Sequence, residues 1–389
     1  MFKMFKKIIC KGMKRMVQWR TLVYFVLFAD VLLLHMIFAG SQAKPRIVNQ
    51  NISFVRPKKY TLEIPGQNCS VIYKDLVGLL RVRKNYPPKN NFNSEPPIEV
   101  QSTYKTDGRG RWFPVVCQPR QRTVIIIPFR DRDDHLKYFI EHYVKILQRQ
   151  LLDYTIIVVE QDYTHAFNRG MLFNIGYKEA LSLSDGNQAP LCLILHDVDL
   201  LLENDRLIYE CSQNPTHFSV AVDKFKYRIP YEEIFGGVSA VLGDQFNDSN
   251  GFSNVYFGWG GEDDDFRQRL FEAGFSPVHY KEHSIARYAM LGHNGNTDLN
   301  EDRFSMLYKG YDRYLCDGLN SVDYTVSTTQ YKEHYIFIRI SLPTDLSTSI
   351  ICQSCSKDYI SKDADMKKTN ETISELPEIC NSVKNDFNV

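Results

Sequence analysis

Two acidic stretches carry side chains from which a reaction on a phosphorylated substrate could be built. His196-Asp197-Val198-Asp199 closes the apolar run Leu191-Cys-Leu-Ile-Leu and places two carboxylates two positions apart. Side chains alternate along a strand, so both acids are expected to project one way from its carboxyl end. Paired acids there invite a divalent cation held between protein and phosphate oxygens, with solvated turn aspartates as the plain alternative. In Phe257-Gly-Trp-Gly-Gly-Glu-Asp-Asp-Asp265, glycines and a tryptophan precede four consecutive acids. The glycines let backbone approach a ligand, Trp259 offers a flat face for a sugar, and an Asp beside it could take a hydroxyl proton. The bland reading is that these acids decorate the N-terminus of a helix over Phe266 to Ala273. A third stretch, Met290-Leu-Gly-His293, pairs a thioether with an imidazole, both of which more often pack than bind metal.

These residues need a frame. Thr123-Val-Ile-Ile-Ile-Pro-Phe-Arg, Tyr154-Thr-Ile-Ile-Val-Val-Glu and Leu191-Cys-Leu-Ile-Leu-His-Asp read as strands buried on both faces. Asp133 to Gln150 has the spacing of an amphipathic helix, with Leu136, Phe139, Ile140, Tyr143 and Leu147 along one face, and Asn168 to Leu183 reads as a second helix. Strand and helix alternating in this way predict an α/β, Rossmann-like domain with a mostly parallel sheet. Ligands in such folds bind at the carboxyl ends of the strands, where the first acid pair falls.

The chain has 389 residues and a formal net charge of +1, which argues against a nucleic-acid partner and for one large domain with appendages. Residues 1–20 carry Lys3, Lys6, Lys7, Lys11, Lys14, Arg15 and Arg20 without an acid, and an apolar stretch over 21–39 follows. This reads as a cytoplasmic tail and a signal anchor that leave the rest in the lumen, with a cleaved signal peptide as the rival reading. Asp30 within the span is costly and is compatible with a membrane-helix partner. Residues 40–65 read as a polar stem, residues 66–344 as the catalytic domain, and residues 345–389 as an extension without a functional reading. Of the nine cysteines, Cys10 falls on the cytosolic side and the others in an oxidising compartment. Asn51, Asn68, Asn247 and Asn370 each begin an N-glycosylation sequon.

Together these segments resemble the β-1,4-galactosyltransferase family, including its N-acetylgalactosaminyltransferase branch. The resemblance runs from about Cys69 to Leu342, through Ile127-Pro-Phe-Arg-Asp-Arg132, Phe167-Asn-Arg-Gly170, Asp197-Val-Asp199, Val220-Ala-Val-Asp-Lys-Phe225, Phe235-Gly-Gly-Val-Ser-Ala240, Trp259-Gly-Gly-Glu-Asp-Asp264 and Asp317-Gly-Leu-Asn-Ser321. It implies a GT-A type nucleotide-sugar transferase domain and a single-pass type II Golgi membrane protein. By resemblance, Pro128, Phe129, Arg130, Arg132, Phe167, Arg169, Asp197, Val198, Lys224, Ile234 and Trp259 hold the UDP-sugar donor. Asp199, Met290 and His293 hold Mn²⁺. Asp263 is the general base of an inverting displacement, with Glu262 and Asp264 orienting sugar hydroxyls. Phe225, Tyr231, Gly261, Asp263, Asp264, Arg303, Phe304 and Leu307 form the pocket for an acceptor ending in N-acetylglucosamine (GlcNAc). Segments around Trp259 and His293 resemble loops that close over bound donor and exclude water.

Where galactosyltransferases carry a Tyr before Phe235-Gly-Gly, this chain has Ile234. The resemblance therefore implies room for a 2-acetamido group and a β-1,4-N-acetylgalactosaminyltransferase using UDP-GalNAc, with ordinary packing of Ile234 as the alternative. A galactosyltransferase with the same acceptor is the second reading, and a catalytically silent glycan-binding protein is a third from another class. The stretch between His293 and Arg303 is two residues shorter than in the galactosyl members. The family's pairings imply disulfides Cys69–Cys117 and Cys192–Cys211. Cys316, Cys352, Cys355 and Cys380 remain, and Cys352-Gln-Ser-Cys355 lacks the second pair that a zinc site needs.

Overall fold

The computed structural model describes residues 69, 76–82, 101–183, 191–292 and 299–344. The proposed tail, span, stem and C-terminal extension lie outside these residues, as do Asn51, Asn68, His293, Cys352, Cys355, Asn370 and Cys380. Among the described residues no helix is long and apolar enough to cross a membrane.

Short strands β1 (Tyr104–Thr106) and β2 (Arg111–Pro114) precede β3 (Arg122–Phe129), helix α1 (Asp133–Arg149), β4 (Asp153–Gln161), α2 (Arg169–Ser182) and β5 (Leu191–His196). The three long strands pair in parallel, with Ile126 opposite both Ile157 of β4 and Leu195 of β5. Residues of β3 alternate between two apolar layers. Ile125 and Ile127 pack with Leu136, Phe139 and Tyr143 of α1, whereas Val124 and Ile126 pack with Met171, Leu172 and Ile175 of α2. Burial on both faces is the reason these strands read as unbroken apolar runs. The buried face of α1 is the one its spacing predicts. Asn168 caps α2, its side chain accepting from Met171 N at 2.9 Å.

The chain continues through β6 (Leu200–Leu202), β7 (Thr216–His217), β8 (Ala221–Val222), β9 (Val238–Leu242), α3 (Gly243–Asp248) and α4 (Glu262–Glu272). It finishes with β10 (Val278–His279), β11 (Arg287–Met290), α5 (Arg303–Tyr308), α6 (Gly310–Arg313), β12 (Thr325–Tyr331) and β13 (Ile336–Ser341). The large sheet is mixed rather than mostly parallel. Its order is β1-β2-β4-β3-β5-β9-β7-β10, with β13 also on β4, and β9 runs antiparallel to both β5 and β7. Parallel pairing needs a crossover long enough for a helix, and α1 and α2 supply it only among β3, β4 and β5. Beyond β5 the chain passes through short strands and loops before β9 returns antiparallel to it. A small second sheet, β6-β11-β8, stands beside the end of β5.

Both expected disulfides are formed, Cys69–Cys117 and Cys192–Cys211, and Cys316 is disulfide-bonded as well. Asn247 is exposed near the end of α3, as glycosylation requires.

Candidate active site

The acid pair does not lie on β5. That strand ends at His196, and Asp197-Val198-Asp199 forms the turn into β6, pinned by Asp197 N donating to Gly237 O at 3.0 Å and Leu200 N to Asp197 O at 3.3 Å. Val198 is buried in the core, and Asp197 and Asp199 are half-buried on either side of it. Arg169, the first residue of α2, donates through Nε to Asp197 at 2.6 Å and through a terminal nitrogen to Glu262 at 3.1 Å. One guanidinium thus joins the acid turn to the head of α4.

Asp199 is half-buried, and its carboxyl is pushed up to about 7 by burial and by Asp197, against the opposing pull of Arg132 and Lys224. Antiparallel pairing of β11 with β6 sets Met290 opposite Leu200, next in sequence to Asp199, and Leu291 N donates to Asp199 O at 2.8 Å. Asp223 accepts from Met290 N at 2.9 Å, which brings the turn carrying Lys224 alongside. A carboxyl raised by burial and by a second acid, next in sequence to the strand position that faces a thioether residue, is a set that a divalent cation fits. Among the described residues no three His, Cys, Asp or Glu side chains gather to hold a metal by themselves. The remaining ligands would be His293, outside the described residues, and phosphate oxygens.

Helix α4 begins four residues earlier than the sequence suggests. Gly261, at φ 94° and ψ −19°, turns the chain sharply enough for Glu262 to enter the first turn, so all four acids lie inside the helix. Each takes a different direction. Asp263 rests against Gly236, where a Cβ would stand 2.1 Å from its Oδ2. Burial raises its carboxyl pKa, and Arg169 lowers it. Asp264 accepts from Tyr231 Oη at 3.0 Å and is pushed up to about 6 by burial and by Asp263. Glu262, bonded to Arg169 through one oxygen, keeps the other buried with no hydrogen-bond partner and is pushed up to about 7 by burial and by Asp263. Asp265 faces inward, accepting from Arg313 at 2.6 Å, Tyr256 at 2.9 Å and Arg269 at 2.5 Å. Asp317, fully buried, completes this ion network with Arg269 and Arg313.

The other expected donor residues fall in distinct surroundings. Pro128 and Phe129 are buried within β3, and the Phe129 ring packs on Phe337, so a ligand there meets backbone. Arg130 holds the loop after β4, donating to His165 O at 2.9 Å and lying over the Phe167 ring at 5.2 Å. Arg132 is the N-cap residue of α1. Lys224 and Phe225 are exposed on a 3-10 turn, and Ile234 is half-buried between Tyr231 and Gly236. Trp259, expected at the donor, and Phe304, expected at the acceptor, are 60% and 70% exposed, with the Arg303 guanidinium 5.6 Å from the first ring and 4.6 Å from the second. A Cβ on Gly260 would come within 2.9 Å of Arg303. Leu307 is half-buried on α5.

Two roles escape a reading of residue types. Gly236 is the seat of the Asp263 carboxylate, and Asp265 is an internal anchor rather than a surface charge. The consecutive glycines after Phe235 are the one trace of the first in the sequence. Nothing marks the second apart from its neighbours.

A family model described as the N-terminal region of glycosyl transferase group 7 matches residues 69–212, and one described as the N-terminal domain of galactosyltransferase matches residues 216–294. These ranges hold the acid turn, the Gly236 seat and α4. The chain belongs to the β-1,4-galactosyltransferase family. It is 39% identical over 297 residues to beta-1,4-galactosyltransferase 5 of Danio rerio, covering 75% of this chain and 74% of the relative. It is 41% identical over 257 residues to the Mus musculus protein of the same name, covering 66% of this chain and 63% of that relative's length. Among solved structures, the catalytic domain of Drosophila beta-1,4-galactosyltransferase 7 in complex with xylobiose aligns at a TM-score of 0.51 and 28% identity, covering 60% of this chain and 98% of that one. A mutant of that enzyme in complex with manganese, UDP-Gal and xylobiose aligns at 0.50 and 27%, with the same coverage. The GT-A-like catalytic fold of the family is therefore this chain's fold.

Proposed function

We propose that this chain is an inverting β-1,4-hexosyltransferase that moves a galactose-series sugar from UDP to the 4-hydroxyl of a terminal GlcNAc. The observation that carries the reading is the Arg169 bridge, which fixes the acid turn and the head of α4, and so the base Asp263, as one unit. Asp263 takes the acceptor hydroxyl proton as the oxygen attacks the anomeric carbon from the face opposite UDP. Its raised pKa makes it a stronger base than an exposed aspartate. Asp264, steadied by Tyr231, and Glu262, with one oxygen free to accept, orient the sugar hydroxyls. Arg132 and Lys224, already within electrostatic reach of Asp199, bind the diphosphate. A Mn²⁺ held by Asp199, Met290 and His293 would supply the positive charge that stabilises the leaving UDP.

The relatives' names favour UDP-galactose as donor. Ile234 favours a second reading, UDP-GalNAc, because an apolar residue at this position leaves the space a larger 2-substituent needs. The experiment offers the full chain both donors in parallel with a GlcNAc acceptor and Mn²⁺, then repeats the comparison with Ile234→Tyr. A shift of the rate ratio toward UDP-galactose on substitution supports the second reading, and an unmoved ratio removes it. No transfer from either donor with any divalent metal refutes the enzyme. The basic tail and apolar span fit a type II anchor in the Golgi membrane. Protease protection of the domain in sealed microsomes tests that placement.

A further inference from the structure

His217 and His279 face one another across the pairing of β7 with β10, where they occupy directly opposite positions. Their Nδ1 atoms are 2.9 Å apart, a separation that requires a hydrogen between them. From this pair a hydrogen-bonded string runs outward in both directions. His279 Nε2 meets Glu232 O at 2.7 Å. His217 Nε2 meets Ser219 Oγ at 3.0 Å, and Ser219 in turn donates to Gly236 O at 3.0 Å. Both ends are carbonyls, which only accept. The string therefore closes on either end of the segment from Glu232 to Gly236, which carries Ile234 and the seat of Asp263.

The string has four links and needs four hydrogens, one per link. Two neutral imidazoles and one hydroxyl carry three. The fourth is present only when one imidazole is protonated. Without it, the Ser219 hydroxyl must turn from Gly236 O to His217 Nε2, or one link must open. Val238 N also donates to Ser219 Oγ at 2.9 Å, which leaves the hydroxyl hydrogen directed at the carbonyl while the string is complete.

We propose that His217 and His279 are a positioning pair whose single shared extra proton clamps the segment Glu232–Gly236, and with it the donor-facing Ile234 and the seat of the base. The inference rests on the transferase reading for its consequence and on the hydrogen-bond geometry for its existence. His217 is fully buried, and burial lowers its pKa to about 3, whereas His279 lies at the half-exposed end of the string. Charged and titratable neighbours are His283, within electrostatic reach of His217, Glu232 and Glu233 on the clamped segment, and Lys281 and Glu282 just after β10. Across the segment stand Asp263 against Gly236 and Asp264 bonded to Tyr231.

The proton is held at low pH and lost as pH rises, so the donor kcat/KM should fall by about tenfold, the worth of one lost hydrogen bond, as the pair is neutralised. Replacing His279 by Arg supplies a permanent donor at both ends, so His279→Arg should keep transfer and flatten that limb of the profile. His279→Ala should show the high-pH kcat/KM at all pH values. The assay uses the detergent-solubilised full chain with Mn²⁺ between pH 5.5 and 8.5. In parallel, ¹⁵N-imidazole NMR of the unsubstituted protein should show one imidazolium in the pair at pH 6. Coincident pH profiles for the unsubstituted protein and His279→Arg, or two neutral imidazoles at pH 6, overturn the proposal. Absence of transfer alongside the expected imidazolium removes the enzymatic reading and leaves the proton-sharing pair intact.

Discussion

Alanine at Gly236 tests the placement of the proposed base, Asp263, without touching it. The new Cβ would stand 2.1 Å from Asp263 Oδ2 and 3.1 Å from its Cγ, whereas ordinary contact begins at 3.4 Å, so the oxygen must retreat by about 1.3 Å. Gly236 is not among the glycines with positive φ, so alanine suits the backbone and the cost falls on the carboxylate. Asp263 is a short side chain at a helix start and cannot swing away while keeping its aim. A displacement of about 1 Å in a reacting group costs about a hundredfold in rate. Gly236→Ala should therefore lower kcat by about 10²-fold at saturating donor and acceptor, leave UDP affinity measured by calorimetry unchanged, and shift the melting temperature by only a few degrees. A folded variant whose kcat stays within about threefold of the unsubstituted enzyme would show that Asp263 is not the group whose position limits the reaction.

Further outcomes follow from the same arrangement. Asp263→Asn should cut kcat by about 10² to 10⁴ while UDP still binds, and undiminished transfer would take the base role from Asp263. The folded pKa of Glu262, about 7, lies above the ordinary 4.5, so the folded chain holds a proton that the unfolded chain has released between those values. Its stabilising contribution is full below about pH 4.5 and is lost as pH rises through 7, so Glu262→Gln should flatten the decline in melting temperature across that window. Parallel slopes in the two proteins would contradict this. Arg313→Ala leaves two buried carboxylates, Asp265 and Asp317, sharing the single guanidinium of Arg269 and should cost about 3 to 5 kcal/mol in urea unfolding, and a loss under about 1 kcal/mol would show that the network is not what seats α4.

The parts of the fold that sequence reveals are those where one local pattern has one physical cause. Strands β3, β4 and β5 are buried on both faces and read as apolar runs, and α1 shows its packing face at helical spacing. The mixed sheet was hidden because the placement of β7, β9 and β13 depends on pairings between distant segments that no local pattern records. At the site, residue types located the acid turn and the acidic helix, but a strand's alternation was the wrong geometry for Asp197 and Asp199. A single positive-φ glycine moved the start of α4. The divergence of Glu262, Asp263, Asp264 and Asp265 is likewise tertiary, since each acid is defined by what comes to meet it: Arg169, Gly236, Tyr231 and Arg313.

The pairing of β13 with β4 bears on when this site can come into being. The loop gripped by Arg130 is fastened from below by residues synthesised much later, with Asp162 N donating to Ile340 O at 3.1 Å and the His165 ring meeting Pro343 O at 2.9 Å, 178 positions onward. A growing polypeptide can therefore complete its acid turn and acidic helix while the proposed nucleotide side still lacks its floor. Competence arrives only after translation has passed residue 343. A product stopped before β13 would be an apolar sheet edge exposed along β4, a substrate for quality control rather than a slow enzyme.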